Sequence, residues 1–199
     1  MVPDRTHPSL LQRVRDPNDH AAWADFDRQY RELILRYALA RGLQPADAED
    51  VRQIVLMNLT QAMRRFVYNP ELGRFRNYLA RVVRNAIVRL VERRGPEWAL
   101  GSSVLATGAV LEDAAADELW EREWVNHHYR CALEALRAAV EPQTLAVFER
   151  LISGATAADA AEAFGLTVDA VQKIKQRMRD RLQERIAQQI RQEDDAFSA

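Results

Sequence analysis

An all-α protein is predicted: two small helical domains joined by a flexible linker, the second a helix-turn-helix. Three observations carry the prediction. Only 7 Gly and 7 Pro occur in 199 residues, while Ala, Leu, Arg and Glu abound, a composition that favours helix. Apolar residues recur at spacings of three and four almost throughout, with no convincing strand alternation. The helix-breaking residues also cluster, most densely in "RRGPEWALGSSVLATG", the signature of a connecting segment. The chain thus divides into a domain over 1–94, a linker over 95–114, a second domain over 115–190 and a frayed tail over 191–199.

The elements follow in order. A first helix runs from about His20 to Arg41 with Trp23, Phe26, Tyr30, Leu33, Ile34 and Tyr37 on one side, and Gly42 stops it. "QPADAED" starts a second: Pro45 suits a first turn, and Asp47, Glu49 and Asp50 suit the positive end of the helix dipole. That helix continues through Val51, Ile54, Val55, Leu59 and Met63, and "NPELG" is turn chemistry. A third helix spans about Phe75 to Arg93, its stripe of Leu79, Val82, Val83, Ala86, Ile87, Leu90 and Val91 lying away from Arg81, Arg84, Asn85 and Arg89. Beyond the linker come a long helix ended by Glu141-Pro142 and a shorter one closed by Gly154.

"TAADAAEAFGLTVDAVQKIKQRMRDRLQERI" has the layout of a helix-turn-helix. Thr156 caps a short helix, Gly165 makes the turn and Thr167 caps a long second helix. Ala160, Ala161 and Ala163 let the pair approach closely, and Val171, Ile174, Met178 and Leu182 pack on the first helix. The other side presents Asp169, Lys173, Gln176 and Asp180, flanked by Gln172 and Arg177, placed to read base edges in a major groove. A plain helical hairpin has the same periodicity and stays open as an alternative.

Net charge is only −1, but it is unevenly spread. From Arg64 to Arg94 nine arginines face Glu71 and Glu92, a local +7; from Gln172 to Arg191 the balance is +5; "LEDAAADELWERE" between them is −5. Two basic regions around an acidic one suggest two anion-binding surfaces. The first basic region also interleaves aromatics, in "RRFVYNPELGRFRNYLARVVRN". Aromatic faces and cations together suit a freed nucleic-acid strand, since stacking contributes about 1–3 kcal/mol per base. Phe66, Phe75 and Tyr78 also suit packing between the second and third helices, which leaves Tyr68, Asn69 and Arg76 as the stronger nucleic-acid candidates.

A single cysteine, Cys131, excludes an internal disulfide and is expected in the core. No apolar run approaches the ~18 residues of a membrane span, and the first residues lack the apolar stretch of a secretory signal, so a cytoplasmic location is expected. Adjacent His127 and His128 point about 100° apart on a helix, which disfavours a metal site with the acids. No nucleophile motif or phosphate-cradling Gly loop is present, so an enzyme is not expected and no cofactor is implied.

Over about residues 9–186 the chain resembles an extracytoplasmic-function sigma factor, the small two-domain type of bacterial RNA polymerase specificity subunit. The motifs that carry the resemblance are "WADFDRQYRELILRYALARGL", "DAEDVRQIVLMNL", "RFVYNPELGRFRNYLARVVRN" and "AAEAFGLTVDAVQKIKQRMRDRLQE", in that order. It implies binding of core RNA polymerase through Asp47, Glu49, Asp50 and Gln53, with the acids exposed. It implies melting and reading of the minus-ten promoter element by Phe66, Tyr68, Asn69, Arg74, Arg76, Asn77, Tyr78, Arg81, Arg84 and Asn85. It implies reading of the minus-thirty-five element by Thr156, Thr167, Asp169, Gln172, Lys173, Gln176 and Arg177, and an anti-sigma factor as a further partner. The sequence departs from the family in having Tyr78 where Trp is common and Ile54 where an acid is frequent. A helix-turn-helix regulator with an N-terminal sensing or dimerisation domain is the rival reading; it leaves the mixture of aromatics and arginines unexplained. An adaptor that binds polymerase without reading DNA leaves the second basic helix unexplained.

Overall fold

The computed structural model describes residues 8–64, 75–95 and 114–198. Among these there are eight α-helices and no strand: α1 Pro8–Arg13, α2 His20–Ala40, α3 Pro45–Met63, α4 Phe75–Arg94, α5 Ala114–Ala139, α6 Pro142–Ile152, α7 Ala157–Phe164 and α8 Val168–Ser198. The all-helical expectation holds. The short α1 was not foreseen, and the tail expected to fray continues as helix through Ser198.

Packing divides the chain into two compact units that meet within α5, the first running through His127 and the second from His128 to Arg191. In the first, α2 packs on α1 and α3, and α3 on α4. Asp19 starts α2: its carboxylate accepts the Ala22 N–H at 2.9 Å and ion-pairs with Arg13 at 2.8 Å. These bonds to the charged form hold Asp19 below the usual carboxylate range. At the other end of α2 the Leu43 N–H donates to the Ala38 carbonyl at 3.2 Å and the Gly42 N–H to Leu39 at 2.9 Å. That Schellman closure requires the left-handed conformation Gly42 adopts, φ 90°, and it leaves Arg41 as the helix cap.

The first core is aromatic. Phe26, Tyr30, Tyr37, Phe75, Trp120 and Trp124 are all buried, and their rings meet edge-on, tilted or, for Tyr30 and Trp124, stacked, at 4.7–6.3 Å between centroids, with no pair face to face at close range. Trp120 and Trp124 come from α5, so by packing Ala114–His127 belong with the first unit, and the second domain, expected from residue 115, has its packing unit begin at His128.

The second unit holds two smaller clusters. Ala132, Leu136, Phe148, Met178 and Leu182 form one; Val147, Ala160, Ala161 and Val171 form the other. Met178 and Leu182 thus pack with α5 and α6 rather than on α7 as expected, and of their stripe Val171 faces α7 while Ile174 borders both clusters. Ala163, expected between the helices, is exposed, and Cys131, expected in the core, is only half-buried.

Candidate nucleic-acid interface

Helix α4 buries Leu79, Val83, Ala86, Ile87 and Leu90, and the 3.6-residue repeat turns the remaining positions outward. Asn77, Arg81 and Asn85 follow one another at four-residue steps, with Arg76 and Arg84 beside them. All five line one cleft of about 550 Å³. Tyr37 and Trp120 also line it, their rings T-shaped at 5.1 Å, as does Arg41 from the end of α2. Burial pushes the Tyr37 phenol up, against the opposing pull of the Arg41 and Arg84 guanidiniums. Two carboxylates from α5 reach the arginines: Glu121 pairs with Arg76 at 2.9 Å, and Asp117 pairs with Arg84.

The structure therefore brings together Arg76, Asn77, Arg81, Arg84 and Asn85. Tyr78 is elsewhere, half-buried against the first unit's core, where burial raises its phenol. Phe75 is a core residue between Phe26 and Tyr30. Phe66, Tyr68, Asn69 and Arg74, like the linker residues 96–113, lie outside the described residues.

The acids at the start of α3 are not an exposed trio. Asp47 is buried and its carboxylate accepts from Arg94 at 3.1 Å; the same nitrogen reaches Asp50 at 3.1 Å. Glu49 pairs with Arg31 and, at 2.6 Å, with Arg52, which also holds Asp27 at 2.6 Å. Hydrogen bonding to Arg52 leads the causes that hold the Glu49 carboxyl below its ordinary range. These acids tie α3 to α2 and α4. Gln53 is exposed, with Met57 exposed one turn further on.

In the second unit, Thr156 and Asp159 form a capping box: Thr156 Oγ1 accepts the Asp159 N–H at 3.2 Å, and Asp159 Oδ2 accepts the Thr156 N–H at 3.0 Å. Gly165 takes φ 64° and the Leu166 N–H closes on Ala161 at 2.9 Å. Thr167 Oγ1 accepts from Ala170 at 3.2 Å and so starts α8. Asp169, Gln172, Lys173, Gln176 and Arg177 are all exposed along the first turns of that helix. Two of its acids are engaged within the helix: Asp169 with Lys173 at 2.8 Å, and Asp180 with Gln176 at 2.8 Å. His127 sits against Tyr30 in the first unit, and His128 Nδ1 faces Gln189 at 3.2 Å in the second.

Residues 26–97 match the family model described as Sigma-70 region 2. The match covers just over a third of the chain and supports placing it among sigma-70 family proteins. No curated protein matches the chain.

The matched stretch contains α3, α4 and the larger part of α2, and hence every α4 residue at the cleft. Three charged cleft residues escaped the sequence reading, as did the cleft roles of Tyr37 and Trp120. Arg41 looked like an ordinary helix-end cation. Asp117 and Glu121 lie outside the region 2 stretch yet pack in its unit. Their signal was present as the acidic segment itself, with two carboxylates four residues apart flanking Trp120.

Proposed function

We propose that the chain is a sigma factor of the extracytoplasmic-function type. It binds core RNA polymerase through the region 2 domain, engages the minus-ten strand along α4 and reads the minus-thirty-five element with α8. It assists melting without a covalent step of its own. The observation that carries the reading is the stripe of Arg76, Asn77, Arg81, Arg84 and Asn85 within a region 2 match: guanidinium and amide donors at helical spacing suit phosphates and base edges. The exposed face of α8, started by a threonine cap after a glycine turn, supports the second half of the reading. Gln53 is the polymerase contact the packing leaves most accessible, while Asp47 acts mainly to hold α3 on α4. An anti-sigma partner belongs to this reading through the family resemblance alone.

The test is size-exclusion chromatography with bacterial core polymerase, followed by promoter-dependent transcription. Co-elution is expected, and Gln53→Ala weakens it roughly five- to ten-fold with the thermal midpoint unchanged. Failure of the unaltered chain to co-elute with polymerase from its own host would instead favour a ligand-responsive helix-turn-helix regulator.

A further inference from the structure

Three buried N–H donors share one location. Trp120 Nε1, Arg76 Nε and Arg84 Nε have no hydrogen-bond partner among the described residues, and all three side chains line the α4 cleft. Arg41, only 7% exposed, lines the same cleft and has no carboxylate partner among the described residues. Unpartnered buried donors are costly, and a buried cation without a counter-charge more so. A ligand rich in acceptors and bearing negative charge relieves both.

We propose that this cleft is a binding site for a phosphate-bearing anion, with Arg41 as its inner cation and Asp117 and Glu121 as built-in competitors for Arg84 and Arg76. Guanidinium and indole N–H groups only donate, and a phosphate's oxygens accept from several directions at once. At about 550 Å³ the cleft is larger than a lone carboxylate needs. The two acids are displaceable stand-ins: the Asp117 and Glu121 side chains are 64% and 46% exposed, so their pairs are weakly held. Trp120 between them is 1% exposed and fixes the backbone that carries them. The phosphate is either a DNA strand's phosphodiester or a free phosphate compound. In the first case the inference rests on the promoter reading proposed above.

The test titrates the full chain, at low salt, with two probes separately: a single-stranded minus-ten oligonucleotide and inorganic pyrophosphate. The double variant D117N/E121Q is expected to bind at least one probe roughly five- to ten-fold tighter. The control E118Q/E123Q, with the same change in charge, moves affinity by less than about two-fold. Adding Arg41→Gln to the first variant removes its gain, and the two acid variants decide the matter even if that triple variant is unstable. Tightening of the oligonucleotide alone identifies a strand as the source. Tightening of pyrophosphate alone sustains the phosphate site while removing the strand reading of this face, and tightening of both shows that either source suffices. Equal responses of D117N/E121Q and E118Q/E123Q to both probes would overturn the proposal.

Discussion

The two units achieve helix packing with different residues. In the first, Phe26, Tyr30, Tyr37, Phe75, Trp120 and Trp124 interlock at a single core that draws on α2, α4 and α5. In the second, Ala132, Ala160 and Ala161 let helices close up, and the apolar side chains split into two small clusters. Large rings each remove far more apolar surface from water than an alanine does. The difference teaches where stability resides: the first unit has a reserve that tolerates a cleft lined with cations, and the second depends on a handful of side chains and on well-made helix ends.

The sequence supplies a convenient way to break that comparison. Trp23, Trp120 and Trp124 pack in the first unit and the fourth tryptophan is Trp98, so in a Trp98→Phe background tryptophan emission reports on the first unit, whereas far-ultraviolet ellipticity reports on both. Trp120→Ala is expected to destabilise the first unit by about 3–5 kcal/mol, seen as an earlier urea midpoint in fluorescence. Met178→Ala is expected to cost the second unit about 3 kcal/mol, shifting part of the ellipticity change while the fluorescence midpoint stays in place. If each variant moved both signals together, the units would be one cooperative body and the contrast would lose its meaning.

The smallest effect sharpens the point about helix ends. Thr156→Ala removes half of the capping box and is expected to cost about 1 kcal/mol. It also has a pH signature. The partner Asp159 is held below its ordinary value of 3.8, chiefly by its hydrogen bond with Thr156. A carboxylate with a lowered folded-state value contributes stability that is fully present above 3.8 and is lost as pH falls through the lowered value. Wild-type and Thr156→Ala proteins, compared by thermal midpoint, therefore converge as the solution is acidified below that range.

Local chemistry was legible and distant pairing was not. Pro45, Thr156 and Thr167 start helices where their side chains say they should, and Gly42, Gly154 and Gly165 end them, because caps are decided within a few residues. The outward stripe of α4 was legible for the same reason: periodicity alone sorts its arginines from its leucines. The burial of Asp47 was not, since its partner Arg94 lies 47 residues away and a first-turn aspartate looks the same whether it meets solvent or a guanidinium. Met178 and Leu182 were placed on the right face of α8 but against the wrong neighbour, because a stripe specifies that something covers it and not what does. Arg41 and the Asp117–Glu121 pair became visible as a site only when α2, α4 and α5 were in place.

The burial of Trp120 and Trp124 has a topological consequence. Arg94 and Ala114 both belong to the first unit, so a cut between them divides one body rather than separating two. The two pieces of such a cut would be held together by the indoles. Truncating the chain at residue 94, the natural choice for isolating a region 2 fragment, would instead strip Trp120 and Trp124 from the core and bare the apolar wall beneath them. The fragment boundary that keeps this fold intact lies past His127, inside a helix that the eye, reading the sequence, assigns to the other half.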